Sequence, residues 1–95
     1  MAAYVIAEID VHDAAGYDAY KQGVGATVEK FGGRFLVRGG AVTTFEGGWS
    51  PKRVVVLEFP NMARLEAWYN SADYKPLLAM RLTASSGRLI GVEGA

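Results

Sequence analysis

Residues 38–59 read RGGAVTTFEGGWSPKRVVVLEF, and this stretch predicts one long β-hairpin that governs both fold and assembly. Its second half is the more informative. In residues 53–59, Val54 and Val56 fall on one side of a strand and Val55, Leu57 and Phe59 on the other, because successive strand side chains alternate faces. Both sides are apolar, which is the composition of a strand buried on both faces. In the first half, Gly39-Gly40 predicts a bulge or bend, residues 41–46 resume extended structure, and Gly47-Gly48 with Ser50-Pro51 supply the turn.

Working outward toward the N-terminus, residues 34–38 form the partner strand, with Phe35 and Val37 on one face and Arg34, Leu36 and Arg38 on the other. Gly32-Gly33 ends a preceding helix, where a positive φ is commonly needed. That helix is marked by Tyr17, Tyr20, Val24, Val28 and Phe31 at spacings of three and four. Gly16, Gly23 and Gly25 oppose it by up to about 1 kcal/mol each. Asp13 is its N-cap. Residues 4–11 are a first strand, with Val5, Ala7, Ile9 and Val11 on one side and Tyr4, Ile6, Glu8 and Asp10 on the other.

Toward the C-terminus, Pro60 stops the hairpin and Asn61 caps a helix carrying Leu65, Trp68 and Tyr69 on one side. Ser71 is a second cap, opening a segment through Leu77, Leu78 and Leu82, with Pro76 as a kink or a fresh first turn. Gly87 breaks this segment, and residues 88–92, with Ile90 and Val92 in phase, are the last strand. The order β-α-β-β-α-β predicts an α+β, ferredoxin-like domain over residues 1–95, an antiparallel sheet with its helices on one face. The other sheet face would be an apolar patch larger than monomers usually expose. A homodimer through the open sheet face, helices outside, resolves this.

Ten basic and ten acidic residues cancel, so no long-range field favours nucleic acid or an anionic membrane. The absence of cysteine excludes disulfides and thiolate chemistry and fits a reducing compartment. No apolar run is long enough to span a bilayer and no leader pattern opens the chain. The expectation is a soluble cytoplasmic protein.

At RGG (38–40), FEGGWSPKR (45–53), VVVLEFP (54–60) and AWYNSADYKPLLAMR (67–81), the sequence resembles the bacterial family known as domain of unknown function 1330 (DUF1330), nearly end to end. The matching positions are Arg38-Gly39-Gly40, Glu46-Gly47 with Trp49, Pro51 and Arg53, Glu58-Phe59-Pro60, Trp68-Tyr69, Ser71 with Tyr74, and Arg81. The resemblance implies a ferredoxin-like protomer of the dimeric α+β barrel superfamily. It implies no single activity, since that superfamily mixes cofactor-free monooxygenases, isomerases, haem proteins and ligand-binding regulators.

Several residues are candidates for chemistry. Glu8, Asp10 and His12 share a strand face and could form an acid/base pair or two metal ligands. A third ligand is missing, so a surface histidine is the favoured reading and no metal is expected. Arg38 and Glu58 lie on neighbouring hairpin strands. They could anchor a carboxylate or enolate and supply a base with a raised pKa, but a structural ion pair is favoured. Glu46, Trp49 and Arg53 surround the turn and could close over a ligand or clasp a second subunit; a structural turn with a packed tryptophan is favoured. Tyr17, Tyr20, Trp68, Tyr69 and Tyr74 are read first as core, with Tyr69, Tyr74 and Arg81 as the polar edge of any helix-to-sheet pocket. No dinucleotide fingerprint, phosphate loop or hydrolase triad occurs, so no cofactor is expected. The resulting expectation is a dimer binding a small organic ligand in a helix/sheet cleft, as a cofactor-independent enzyme of monooxygenase or isomerase type. The alternative is a non-catalytic structural or ligand-sensing dimer.

Overall fold

The computed structural model describes residues 1–95. Its elements run β1 (Ala3–Val11), α1 (Ala14–Lys30), β2 (Arg34–Arg38), β3 (Arg53–Phe59), α2 (Met62–Tyr69), α3 (Lys75–Ala84) and β4 (Ser85–Glu93). The four strands make one antiparallel sheet in the order β2-β3-β1-β4, and the helices cover one face. The alternation expected of β1 sets that face: Val5, Ala7 and Ile9 are buried beneath the helices, while Ile6 points away. Val5 pairs with Leu57 and Ala7 with Val55, so β3 contributes its Val55, Leu57, Phe59 side to the core.

Helix boundaries follow local chemistry. The Asp13 carboxylate accepts the Gly16 N–H at 3.2 Å and the Asn61 amide oxygen accepts the Arg64 N–H at 2.9 Å, each satisfying a donor that the first helical turn leaves free. Gly32, at φ +82°, turns the chain out of α1. Ser71 Oγ accepts the Tyr74 N–H at 3.1 Å in the turn between α2 and α3. Trp68 sits at the centre of the helical layer, its ring 4.2 Å from Tyr74 and 5.4 Å from Phe59. Its indole N–H donates to Thr27 Oγ1 at 3.0 Å, and that hydroxyl donates to Val24 O.

Three expectations are corrected. Residues 41–46 form no strand: they lie in a loop covering residues 39–52. Thr44 Oγ1 donates to Trp49 O at 2.7 Å and shares a proton with Ser50 Oγ at 3.0 Å, so side chains here take up polar groups a ladder would otherwise use. The bulge falls between Phe35 and Val37, not at Gly39-Gly40. Gly87 does not break α3. The helix ends at Ala84, where Ser85 Oγ donates to Arg81 O at 2.6 Å and Ala84 O accepts from His12 N and Asp13 N at 3.0 Å each. β4 then pairs with β1 continuously from Val11↔Ser85 to Ala3↔Glu93.

The sheet face away from the helices is banded. Val37, Val56, Ile6 and Ile90 form one row across all four strands, with Ile6 38%, Val37 39% and Ile90 56% exposed. On one side of this row Arg34 pairs with Glu58 at 2.7 Å, and Tyr4 Oη donates to Glu58 at 3.2 Å. On the other, Arg88 holds Glu8 at 2.6 Å.

Candidate functional site

Beneath α1, between helix and sheet, lies a cavity of about 30 Å³, room for a water or two. Val5, Ala7, Ile9, Val24, Val55 and Leu57 give it apolar walls, and Trp68 and Leu89 also line it. The polar groups reaching it are two phenols and four cations: Tyr17 and Tyr20 with Lys21, Arg38, Arg53 and Arg81. No aspartate, glutamate or histidine does.

The bulge brings Arg38 here. Phe35 pairs with Leu57 on the helix side of the sheet; the extra residue at Leu36 then puts Val37 opposite Val56 on the open side and Arg38 opposite Val55 on the helix side. A bulge reverses the parity of everything beyond it, so the expected grouping of Phe35 with Val37 and of Leu36 with Arg38 does not hold. The Arg38 guanidinium lies 4.2 Å above the Phe35 ring and its Nη2 donates to Lys21 O at 2.8 Å. It bridges β2 and α1 across the cavity mouth.

Arg53 enters from the start of β3. Its Nε donates to Tyr17 Oη at 3.2 Å and its guanidinium stands 5.3 Å from that ring's centre. Gly39, at φ +74°, lies against this guanidinium so closely that a Cβ there would collide with it. Deeper in, Tyr20 Oη and Tyr74 Oη share a proton at 2.9 Å, and Arg81 Nε donates to Tyr74 Oη at 3.4 Å. Tyr74 is fully buried and Arg81 is 6% exposed. Burial, together with the Tyr74 hydroxyl, pushes the Tyr20 phenol far above its ordinary value, so it is a neutral hydrogen-bonding group at any physiological pH. Tyr69 packs on Tyr74, ring centres 5.9 Å apart, without lining the cavity.

The remaining candidates lie elsewhere. Arg38 and Glu58 are not a pair: Glu58 is on the open face with Arg34 as its ion partner. The Arg34 hydrogen bond, supported by Tyr4, holds the Glu58 carboxyl below the usual range, so the expectation of a raised pKa is overturned. Trp49 is not the packed tryptophan expected of the turn, being 56% exposed. Its indole N–H donates to Glu8 Oε2 at 2.9 Å, tethering the 39–52 loop to the open face, while Glu46 is exposed at the loop tip. His12 is exposed just beyond β1, and no group of three or more histidine, aspartate and glutamate residues is placed to hold a metal. No helix is long and apolar enough to cross a membrane. Lys21 and the ring of Phe35 were not singled out from the sequence. The helical spacing that marked Tyr17, Tyr20 and Val24 as one face was the available signal for the wall they share.

The open-face carboxylates carry an acid dependence. The Trp49 and Arg88 hydrogen bonds lower the Glu8 pKa as Arg34 lowers that of Glu58. A carboxylate with a depressed folded-state pKa stabilises the fold above its unfolded value, 4.5 here, and that contribution disappears as pH falls through the folded value. Glu58→Gln is therefore expected to lower Tm at pH 7, by a margin that shrinks as pH falls below 4.5. A Tm difference that stays constant on acidification below that value would contradict this.

An antiparallel sheet of order β2-β3-β1-β4, helices on one face and an apolar band on the other, defines a ferredoxin-like α+β fold. The chain belongs to the family described as domain of unknown function (DUF1330), whose model matches residues 2–95. A comparison with curated proteins finds no match. Among solved structures, the chain is similar to the RPA0582 protein of unknown function from Rhodopseudomonas palustris, with TM-score 0.76 and 18% identity over 99% of this chain and 82% of that one. It is also similar to SnoaB, a cofactor-independent oxygenase from Streptomyces nogalater (TM-score 0.68, 11% identity, 99% and 93% covered). A dimeric ferredoxin-like protein of unknown function from Jannaschia sp. CCS1 gives TM-score 0.67 and 13% identity, with 99% and 100% covered. Likeness at these identities is likeness of fold.

Proposed function

We propose that this protein is a cytoplasmic homodimer, joined through its open sheet faces, that binds a small organic molecule between α1 and the sheet. The observation that carries the binding reading is the convergence of Tyr17, Tyr20, Lys21, Arg38, Arg53 and Arg81 on an otherwise apolar cavity, the usual make-up of a small-molecule site. The cavity is small as it stands. Entry requires Arg38 to leave Lys21 O and Phe35 to tilt, both on the edge strand β2. Its size favours the second reading, a dimer whose interior has no ligand at all.

For catalysis, the shared fold of a cofactor-independent oxygenase supports chemistry without a cofactor, acting on an activated carbon acid. The cavity's own groups suit holding such a molecule. Guanidiniums and neutral phenols donate hydrogen bonds and stabilise negative charge, and they accept no proton at neutral pH.

The chain has two tryptophans, and Trp68 is the one at the cavity. In a Trp49→Phe variant, small aromatic carboxylates, phenols and quinones are expected to change Trp68 fluorescence and raise Tm. Ligand at 100 times its Kd adds about 2.7 kcal/mol, or roughly 10 °C or more for a domain of this size. Silence from every class in both measurements would leave the ligand-free dimer as the better account.

A further inference from the structure

We infer that the cavity takes a ligand that is already an anion at neutral pH, with its charged group against Arg81 at the closed end and its apolar body along the sheet. This rests on the reading of the cavity as a binding site. Buried charge is normally neutralised by a nearby opposite charge, because desolvating it alone is costly. Arg81 is 6% exposed and none of the chain's five ion pairs includes it. Its one side-chain hydrogen bond is the 3.4 Å contact from Nε to Tyr74 Oη. Arg38, which is exposed, and Arg53, which is half-buried, likewise have no ionic partner: their side-chain contacts are to a carbonyl, a phenol and two rings.

Acidic and basic residues are equal in number along the chain, yet only basic ones reach this cavity. The missing counter-charge is the ligand's. A planar guanidinium presents paired N–H donors matched to a carboxylate or an enolate, and the Tyr20–Tyr74 hydroxyl pair can turn a further O–H toward the same group. The same groups explain why the anion must arrive ready-made. No carboxylate or imidazole reaches the cavity to take a proton from a neutral ligand, and guanidinium is never a base in water.

The test uses three molecules of one shape and different charge: benzoate, benzyl alcohol and benzylamine, titrated into the wild-type protein by calorimetry, with Trp68 fluorescence followed in parallel in Trp49→Phe. Benzoate is expected to bind about 10- to 100-fold more tightly than benzyl alcohol, the range of a charge-assisted hydrogen bond, and benzylamine not at all. Arg81→Met should bring benzoate down to the level of benzyl alcohol, while Arg81→Lys should keep most of the preference. Equal binding of benzoate and benzyl alcohol to wild type overturns the charge inference and leaves the cavity reading standing. No binding by any of the three removes both. A preference that survives Arg81→Met overturns the placement of the anion at Arg81. Should that variant not fold, the wild-type series still decides the charge, and Arg81→Gln, which keeps hydrogen-bond donors without the charge, decides the placement: a weakened affinity for benzoate supports it and an unchanged one overturns it.

Discussion

Ile6→Asp is expected to give a folded monomer. Ile6 is the middle of the apolar row on the open sheet face, paired with Val56 on one side and Ile90 on the other, and its side chain takes no part in the core beneath the helices. Alone in solution, a protomer carrying aspartate there would lose little, because a half-exposed position lets the carboxylate stay hydrated. In a sheet-to-sheet dimer two-fold symmetry brings both copies of the substitution into one interface, and each buried, unpaired carboxylate costs several kcal/mol. Association through an interface of standard size does not withstand that penalty at micromolar protein. Light scattering should give a dimer mass for wild type and a monomer mass for Ile6→Asp, with unchanged far-ultraviolet circular dichroism. A wild-type monomer, or a variant that keeps the wild-type dimer mass, would rule out assembly through this face. Ile90→Asp, one strand over on the same row, guards against an effect peculiar to β1.

The rows flanking Ile6 bear on the same assembly. Arg34–Glu58 and Arg88–Glu8 are ion pairs within one sheet face, so facing sheets would meet with their charges already matched. In such a dimer the pairs would set register: a second sheet shifted by two residues along the strands would place an ion-paired row against the apolar one.

How much of this was legible from the sequence depends on the distance over which each feature is decided. The β1 alternation, the Asp13 and Asn61 caps, the Gly32 turn and the two-sided apolar β3 are governed by neighbours within a few residues, and each appears where its pattern predicts. The open apolar face followed by counting layers. Arg38 shows where that logic ends. Strand parity assigns it to the face away from Phe35, and a single unpaired residue at Leu36 reverses the assignment. Nothing in FLVR marks that residue; the adjacent Gly39-Gly40 draws attention to the wrong place. The β3 partner decides where the ladder slips. The cavity depends on that slip, since without it Arg38 would point to the open face.

Partners distant in sequence were equally out of reach. Glu8 was considered with Asp10 and His12, its neighbours by alternation, but its contacts are Arg88 and Trp49. Glu58 was paired with Arg38 because both interrupt apolar runs, whereas the residue across the ladder is Arg34. Charged residues on a strand pair with whatever the register sets opposite. Arg81 is the informative contrast: helical position alone gives no reason for an arginine to be buried, and its burial beside Tyr74 without a carboxylate is what gives the cavity its sign.

Trp68→Ala should cost about 3–5 kcal/mol, the range for truncating a large buried aromatic. Three contributions vanish together. The ring is 1% exposed, so its transfer from water is complete. It stacks on Tyr74 and Phe59, which join the helical layer to β3. Its N–H satisfies Thr27, whose hydroxyl is buried. Chemical denaturation should show the loss as a lower midpoint with an unchanged slope. Trp68→Phe keeps an aromatic ring in place and loses the donor, so it should fall between, about 1–3 kcal/mol below wild type. The alanine variant also joins the space of the missing indole to the cavity beneath α1. An apolar void of that size can bind an aromatic molecule, so added indole should restore part of the lost Tm in Trp68→Ala and leave wild type unchanged. A loss below about 1 kcal/mol would mean that the helices pack on the sheet without the tryptophan. A full loss that indole does not relieve would mean that the void collapses, with α2 settling onto β3.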